Sequence, residues 1–344
     1  MKRFIYLIGL LSLLLSACAP QGPQTLTVLT HDSFSVSEDL IRQFESENNV
    51  KISFVKGGDA GSVLNKAILT KDAPLADILY GVDNTFLTRA LDSGIFTAYQ
   101  SPALKDIASE YELDPLNRAL PVDYGDVCIN FDKSYFAENN LPLPESLADL
   151  TKPEYKGLLV VEDPSTSSPG LAFLLATIAS FDDGYQDYWQ QLKENGVVVV
   201  DSWETAYYTN FSASSGRGPQ PMVVSYGSSP AAEVVYADPP VDESPTASLV
   251  ADGMCFRQIE FAGILEGTNK RVLAEKFIDF LLDKSFQEDM PLQMFVFPVN
   301  PEASLPEAFI KNSQIPANPA SIDPDEIALN RDEWIQGWND AMNP

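Results

Sequence analysis

The chain has 344 residues, 45% of them hydrophobic, and 22 Lys+Arg against 49 Asp+Glu leave a net charge of −27. That length exceeds one ordinary core and suits two lobes, while the apolar fraction excludes a disordered chain. The charge excludes a nucleic-acid binder, which needs a basic stripe over phosphates. A diffusing cation would find this surface attractive, although net charge bears first on solubility. His31 is the only histidine, so a Ser-His-Asp triad would have to include it. HExxH, CxxC, GxxxxGK[ST] and GxGxxG are all absent.

Met1-Lys2-Arg3 is a basic start, and Phe4 to Leu15 is apolar but too short to span a membrane. Leu15-Ser16-Ala17-Cys18 then reads as a bacterial lipobox, with cleavage before Cys18 and a lipid on its thiol; a plain secretory signal is the alternative. Residues 1–17 are thus expected to be a lipoprotein signal peptide and 18–25 a Pro/Gly/Gln tether. Cleavage removes Lys2 and Arg3 and no acid, taking the side-chain balance from −27 to −29. The expected location is extracytoplasmic, anchored to the bacterial cell membrane by lipid. Cys128 and Cys255 remain. Export permits a disulfide between them, two buried thiols being the alternative. Such a bond would contribute roughly 4–5 kcal/mol in the chain-entropy model.

Alternation over Leu26–Thr30 predicts a strand, and Ser35-x-x-Glu38 predicts a capped helix carrying Leu40, Ile41 and Phe44. Val50, Ile52 and Phe54 mark a second strand. A glycine-rich turn over 57–62 opens a helix at Val63–Leu69. Residues 76–80 form a third strand, ending before a helix at Phe86–Ser93. This alternation argues for α/β with a mainly parallel sheet. Pro121–Phe131 is extended. Residues 157–161 are a strand, 171–179 and 185–194 helices, 197–200 a buried valine strand and 222–226 another strand. Ser212–Pro219 is a flexible small-residue loop. Met254–Phe261 is extended, Asn269–Met290 reads as one long amphipathic helix, and Asp323-Pro324 opens a closing helix with Trp334 and Trp338 on one face.

Five polar turns follow strands, at 31–34, 57–62, 81–85, 163–170 and 225–230. Ligands bind at the strand C-termini of open α/β sheets. Trp203 and Tyr226 stand beside such turns and are expected in the cleft, whereas Phe297 is expected in the core. Rings beside the carboxylate of Asp59 suit a flat cation, each contact contributing about 0.5–2 kcal/mol once desolvated. His31 with Tyr207, Tyr208 and a carboxylate also resembles the site of periplasmic ferric-iron binders. One histidine makes a zinc site implausible.

Several stretches resemble the thiamine-binding solute-binding proteins of ABC importers. They are Thr30-His-Asp-Ser-Phe34, Asp59-Ala-Gly-Ser-Val-Leu-Asn65, Ala76–Asn84, Pro121–Gly125, Asp163–Leu171, Ser202–Tyr207, Ser225–Pro230 and Phe297-Pro-Val299. The resemblance implies a two-lobe, type II periplasmic-binding-protein fold without catalysis or cofactor. Lobe 1 would be 26–124 with 256–297, lobe 2 would be 125–255 with 298–344, and the hinge would lie near Asp126–Cys128 and Cys255–Arg257. It implies thiamine or its phosphates as ligand, with Asp59 as counter-charge. His31, Ser167, Trp203, Tyr226, Ser229 and Phe295 would line the pocket. His31 stands where the family often has Tyr, and Ala232 and Phe295 where it has larger rings. The partners implied are a permease and its ATPase, the protein itself being a monomer. The competing readings are a ferric-iron binder through His31, Tyr207 and Tyr208, a binder of another cationic organic solute, and an extracellular enzyme.

Overall fold

The computed structural model describes residues 22–213 and 217–342. The signal segment, Cys18, residues 19–21 of the tether and the middle of the Ser212–Pro219 loop lie outside the described residues. Strands β1 (Gln24–Thr30), β2 (Val50–Lys56) and β3 (Ile78–Asp83) are parallel, with β1 between the other two. Helices α1 (Glu38–Asn48), α2 (Ala60–Leu69) and α3 (Leu87–Asp92) follow them in turn. A second parallel set comprises β6 (Leu159–Glu162), β7 (Val198–Val200) and β8 (Met222–Tyr226), with β6 central. Helices α5 (Ser168–Phe181) and α6 (Tyr185–Glu194) connect β6 to β7; α4 (Lys133–Glu138) lies earlier in the chain.

Two long strands join the sets. β5 (Leu120–Asp132) and β10 (Phe256–Leu265) run antiparallel to each other; β10 pairs β3 and β5 pairs β8. The order is therefore β2-β1-β3-β10-β5-β8-β6-β7. Short β4 (Phe96–Thr97) lies on β10, and β9 (Thr246–Leu249) and β11 (Phe297–Pro298) lie on β5. The expectation of a mainly parallel sheet holds within each flank but not at the centre, where antiparallel strands cross between the two lobes.

The register explains the cysteines. Phe256 faces Val127, so Cys255 faces Cys128 one step further along the ladder. The two are joined in a disulfide with Cα atoms 4.3 Å apart, close to the spacing of a non-hydrogen-bonded antiparallel pair. On the other side of that step, Arg257 holds both carboxylate oxygens of Asp126 at 3.0 Å. This bidentate pair ties the same two strands where they cross.

Four expectations are corrected. Ser35 does not cap α1: Ser37 takes that position, and its N–H and hydroxyl both donate to the Asp289 carboxylate, while Ser35 bonds Gln293. The valine strand β7 is an edge strand paired on one side only, and its residues are half-buried. The long helix over 269–290 is two, α8 (Arg271–Leu282) and α9 (Lys284–Gln293). Asp283 is extended between them and its carboxylate accepts the Ser285 amide, so a local N-cap outweighs a continuous apolar stripe. The helix after the glycine-rich turn begins at Ala60, three residues earlier than its apolar pattern.

Three further helices are α7 (Ser229–Val235), α10 (Glu307–Asn312) and α11 (Pro324–Met342). Asp323 accepts the Asp325 amide at the start of α11. Trp338 is buried edge-on against Trp189, which meets Phe173 the same way. Replacing both Cys128 and Cys255 with Ser should lower stability by about 2–5 kcal/mol, since the bond closes a long loop. Urea unfolding of variant and parent checks this; coincident midpoints would contradict it.

Candidate functional site

Four of the five polar turns, all but 81–85, meet in a cavity of about 320 Å³ between the lobes, within the roughly 300–1,000 Å³ typical of small-molecule sites. His31, Phe34, Lys56 and Asp59 line it from the first lobe. Trp203, Glu204, Tyr208, Tyr226 and Ser229 line it from the second. Glu260 comes from β10, and Met294 and Phe295 from the segment after α9.

Asp59 is the N-cap of α2. One oxygen accepts the Ala60 amide at 2.8 Å, and the other accepts the Trp203 amide across the cleft at 3.2 Å. Burial pushes its carboxyl up, against the two amides, the Ser167 hydroxyl and the charge of His31. Gly61, one residue into α2, lets that helix approach the Ser165 and Thr166 carbonyls: a Cβ there would lie 2.9 Å from the Thr166 oxygen. The lobes are therefore closed on each other in this structure.

The aromatic wall is built from the second lobe. Trp203 stacks on Tyr207 with centroids 5.1 Å apart, meets Tyr208 edge-on, and donates Nε1–H to Ser225 Oγ at 2.9 Å. Ser229 Oγ lies 2.8 Å from the same Ser225 oxygen. Tyr226 donates its hydroxyl to Gln258 at 3.0 Å. Its ring lies close over Gly125, where a Cβ would come within 2.7 Å. Phe295 has φ +56°, a left-handed backbone that a large residue adopts only under constraint. Its carbonyl accepts the Ser228 hydroxyl, which holds the ring at the cavity edge.

The expected residues His31, Asp59, Trp203, Tyr226, Ser229 and Phe295 are all brought to this cavity. Ser167 is not: it is fully buried at the N-cap of α5, facing Asp59 without reaching hydrogen-bond geometry, and Ser168 lines the cavity in its place. Phe297 is buried against Tyr124 and Phe309. Tyr207 is buried and donates its hydroxyl to Glu233 at 2.5 Å. Burial and the Glu233 charge hold that phenol well above its ordinary range, which opposes the phenolate a ferric ion needs. No cluster of three or more His, Cys, Asp or Glu suited to a metal occurs among the described residues.

Sequence reading missed the floor of the site. Glu260 faces Asp83 on β3 and Asp123 on β5, so three neighbouring strands set three carboxyls in one row. Tyr80 donates to Asp123, with Glu260 also 3.4 Å from its hydroxyl, and Ser168 donates to Asp83. His31 Nε2 is 3.5 Å from Glu260. Burial lowers the His31 pKa, but the nearby Glu260 carboxylate outweighs that and raises it overall. Burial likewise pushes Glu260 up, and His31 brings it below its usual value; burial beside Glu260 leaves Asp123 well above its own. One signal was available. Gln258 and Glu260 are polar at alternate positions of an extended segment, which places both on one face.

The region 73–328 matches the family of bacterial extracellular solute-binding proteins, and the chain belongs to that family. Members are ligand-capturing proteins of transport systems that work outside the cytoplasm with membrane permeases, and they are not enzymes. Among curated relatives, the thiamine-binding periplasmic protein of Salmonella typhimurium is 28% identical over 340 residues, covering 97% of this chain and 98% of the relative. That of Brucella suis is 31% identical over 336 residues, covering 94% and 93%. The solved structure of a periplasmic thiamin binding protein superposes with a TM-score of 0.81 at 26% identity, over 95% of this chain and all of that one. Together these establish the two-lobe type II binding fold.

Burial raises the carboxyl of Asp83 from an ordinary 3.8 to about 6. The native protein therefore keeps that proton while the unfolded chain has lost it. The contribution of Asp83 to stability falls as pH rises from about 4 to about 6 and is flat above. Urea unfolding at a series of pH values should show Asp83→Asn losing less stability than the parent across that window; parallel profiles would refute the assignment.

Proposed function

We propose that the protein captures thiamine in the interlobe cavity and delivers it to a membrane permease driven by an ATPase. The observation that carries this reading is the pairing of Asp59 with an aromatic wall. The Asp59 carboxylate faces a cavity bounded by Trp203, Tyr226 and Phe295, and the floor behind it is acidic. Thiamine offers a cationic thiazolium and a flat aminopyrimidine, which such walls hold by cation–π contact, stacking and charge pairing. The relatives named above as thiamine-binding proteins support the same ligand. In this reading Ser167 acts indirectly, through Asp59, and His31 as a ring backed by Glu260.

The two lobes are residues 26–124 with 256–297 and residues 125–255 with 298–344. The hinge is the β5–β10 crossing beside the disulfide, and closure buries the ligand between the lobes. The protein works as a monomer, tethered through lipidated Cys18 to the outer face of the cell membrane.

Mass spectrometry of ligand carried through purification, followed by calorimetry, tests the ligand. Thiamine should be the species found. Trp203→Ala should weaken its binding by about 1–2 kcal/mol through lost ring contact. Asp59→Asn should weaken it by roughly 1–3 kcal/mol, the range for a lost charged partner. Thiamine failing to bind the parent would sink the proposal. For the anchor, labelling cells with radioactive palmitate should mark the parent and leave Cys18→Ser unlabelled and released from membranes; equal labelling would count against it.

A further inference from the structure

We propose that capture of a cation in this cavity drives a proton off His31, so that the hold on the ligand tightens as pH rises through neutrality; the inference rests on the thiamine reading above. The position of one ring is the ground for it. His31 is the only histidine in the chain, and it lines the cavity while its ring is buried. Gly81 backs it from β3, at φ +93°, and a Cβ there would lie 2.3 Å from His31 Cδ2. The ring therefore has no room to retreat toward that strand. Its Nε2 is shut off from water and stands 3.5 Å from a Glu260 oxygen without hydrogen-bond geometry. Charge holds this pair together, and loss of the proton from Nε2 would break no hydrogen bond.

Titratable and charged groups face the ring from every element around it. Glu260 does so from β10, Asp59 from the start of α2 and Lys56 from the end of β2. Asp32 follows His31 in the chain, and the Tyr80 ring of β3 lies 5.8 Å away with its hydroxyl given to Asp123. Burial is the largest single influence on the imidazole and disfavours its charged form; Glu260 and then Asp59 favour that form, and Lys56 opposes it. Two carboxylates thus keep the proton on a ring that burial alone would neutralise. Both line the cavity, so they are the carboxylates an entering cation meets.

The thiazolium nitrogen of thiamine is quaternary and has no proton to lose. Its arrival sets a second positive charge against the same two carboxylates, in surroundings where water screens little. Imidazole is the side chain that changes charge near neutrality, so it is the partner that yields. One ring proton passes to the solvent, and the neutral imidazole remains as a flat wall against the ligand. The free protein then holds a proton that the complex has lost, over the pH range between the two imidazole pKa values. Affinity falls as pH falls through that range and is flat above it, and by reciprocity a returning proton loosens the ligand.

Labelling with nitrogen-15 histidine tests this, because a single imidazole supplies the whole signal. NMR titrations of the ligand-free protein and of its thiamine complex should show the imidazole pKa falling on binding by at least about one unit. Calorimetry in phosphate and in Tris, which differ in ionisation enthalpy, should show proton release, with binding at least about threefold weaker near pH 6 than near pH 8. Burial makes Asp59 and Asp83 readier to hold protons, and release from them would carry the same sign, so the imidazole signal decides. Glu260→Gln should lower the imidazole pKa of the free protein and shrink its change on binding. An imidazole pKa that thiamine leaves unchanged or raises, or an imidazole already neutral in the free protein at neutral pH, overturns the inference and leaves the thiamine reading intact. Absence of thiamine binding by the parent overturns that reading and this inference with it.

Discussion

Val127 lies opposite Phe256 where β5 and β10 run side by side, and a shift of one residue in that pairing would turn every side chain on one strand to the other face. The closed structure depends on this register. It sets Cys255 against Cys128, Arg257 against Asp126, and Glu260 between Asp83 and Asp123. It also brings Gln258 to Tyr226, so the aromatic wall of one lobe is bonded to a strand that the other lobe also uses. Covalent bond, ion pair and buried polar row all lie along the two strands that join the parallel sets.

Charge acts on two scales in this molecule. The −27 of the whole chain is spread over a surface where water and salt screen it, and it mainly affects solubility and steering. Within the cavity the same sign has sharper consequences, because carboxylates stand close together with little water between them. The protein limits the cost by sharing: His31 keeps Glu260 ionised, while burial leaves Asp83 and Asp123 readier to hold protons. Asp59 is balanced differently, by amides from both lobes. A cation entering here would meet the Asp59 carboxylate between those two amides.

Much of the organisation is legible in the residues. Alternating apolar positions mark β1 and β2, and Asp323-Pro324 marks the start of α11. Polar turns after strands mark where a site belongs, and Trp203, Tyr226 and Asp59 stand out because large rings and a lone acid beside glycine-rich turns are hard to explain as core. The errors have a common origin. Ser35 does not cap α1, and Asp283 divides the apolar stripe over 269–290, because a side chain's choice between nearby backbone amides and distant partners is decided by what packs against it. Ser167 and Ser168 are neighbours of the same type, and only the direction of the first turn of α5 determines which one meets the cavity.

The sequence by itself determined the strand and helix periodicities of both lobes, the pair of cysteines and the residue types of the binding wall. These are local properties, set by side-chain chemistry and spacing along the chain. Tertiary structure alone decided that Glu260, Asp83 and Asp123 form one row, that Asp59 reaches the Trp203 amide, and that Phe295 is held in a left-handed backbone. Those relations join residues from far apart in the chain, and they exist only once strand register and lobe closure have brought their backbones together.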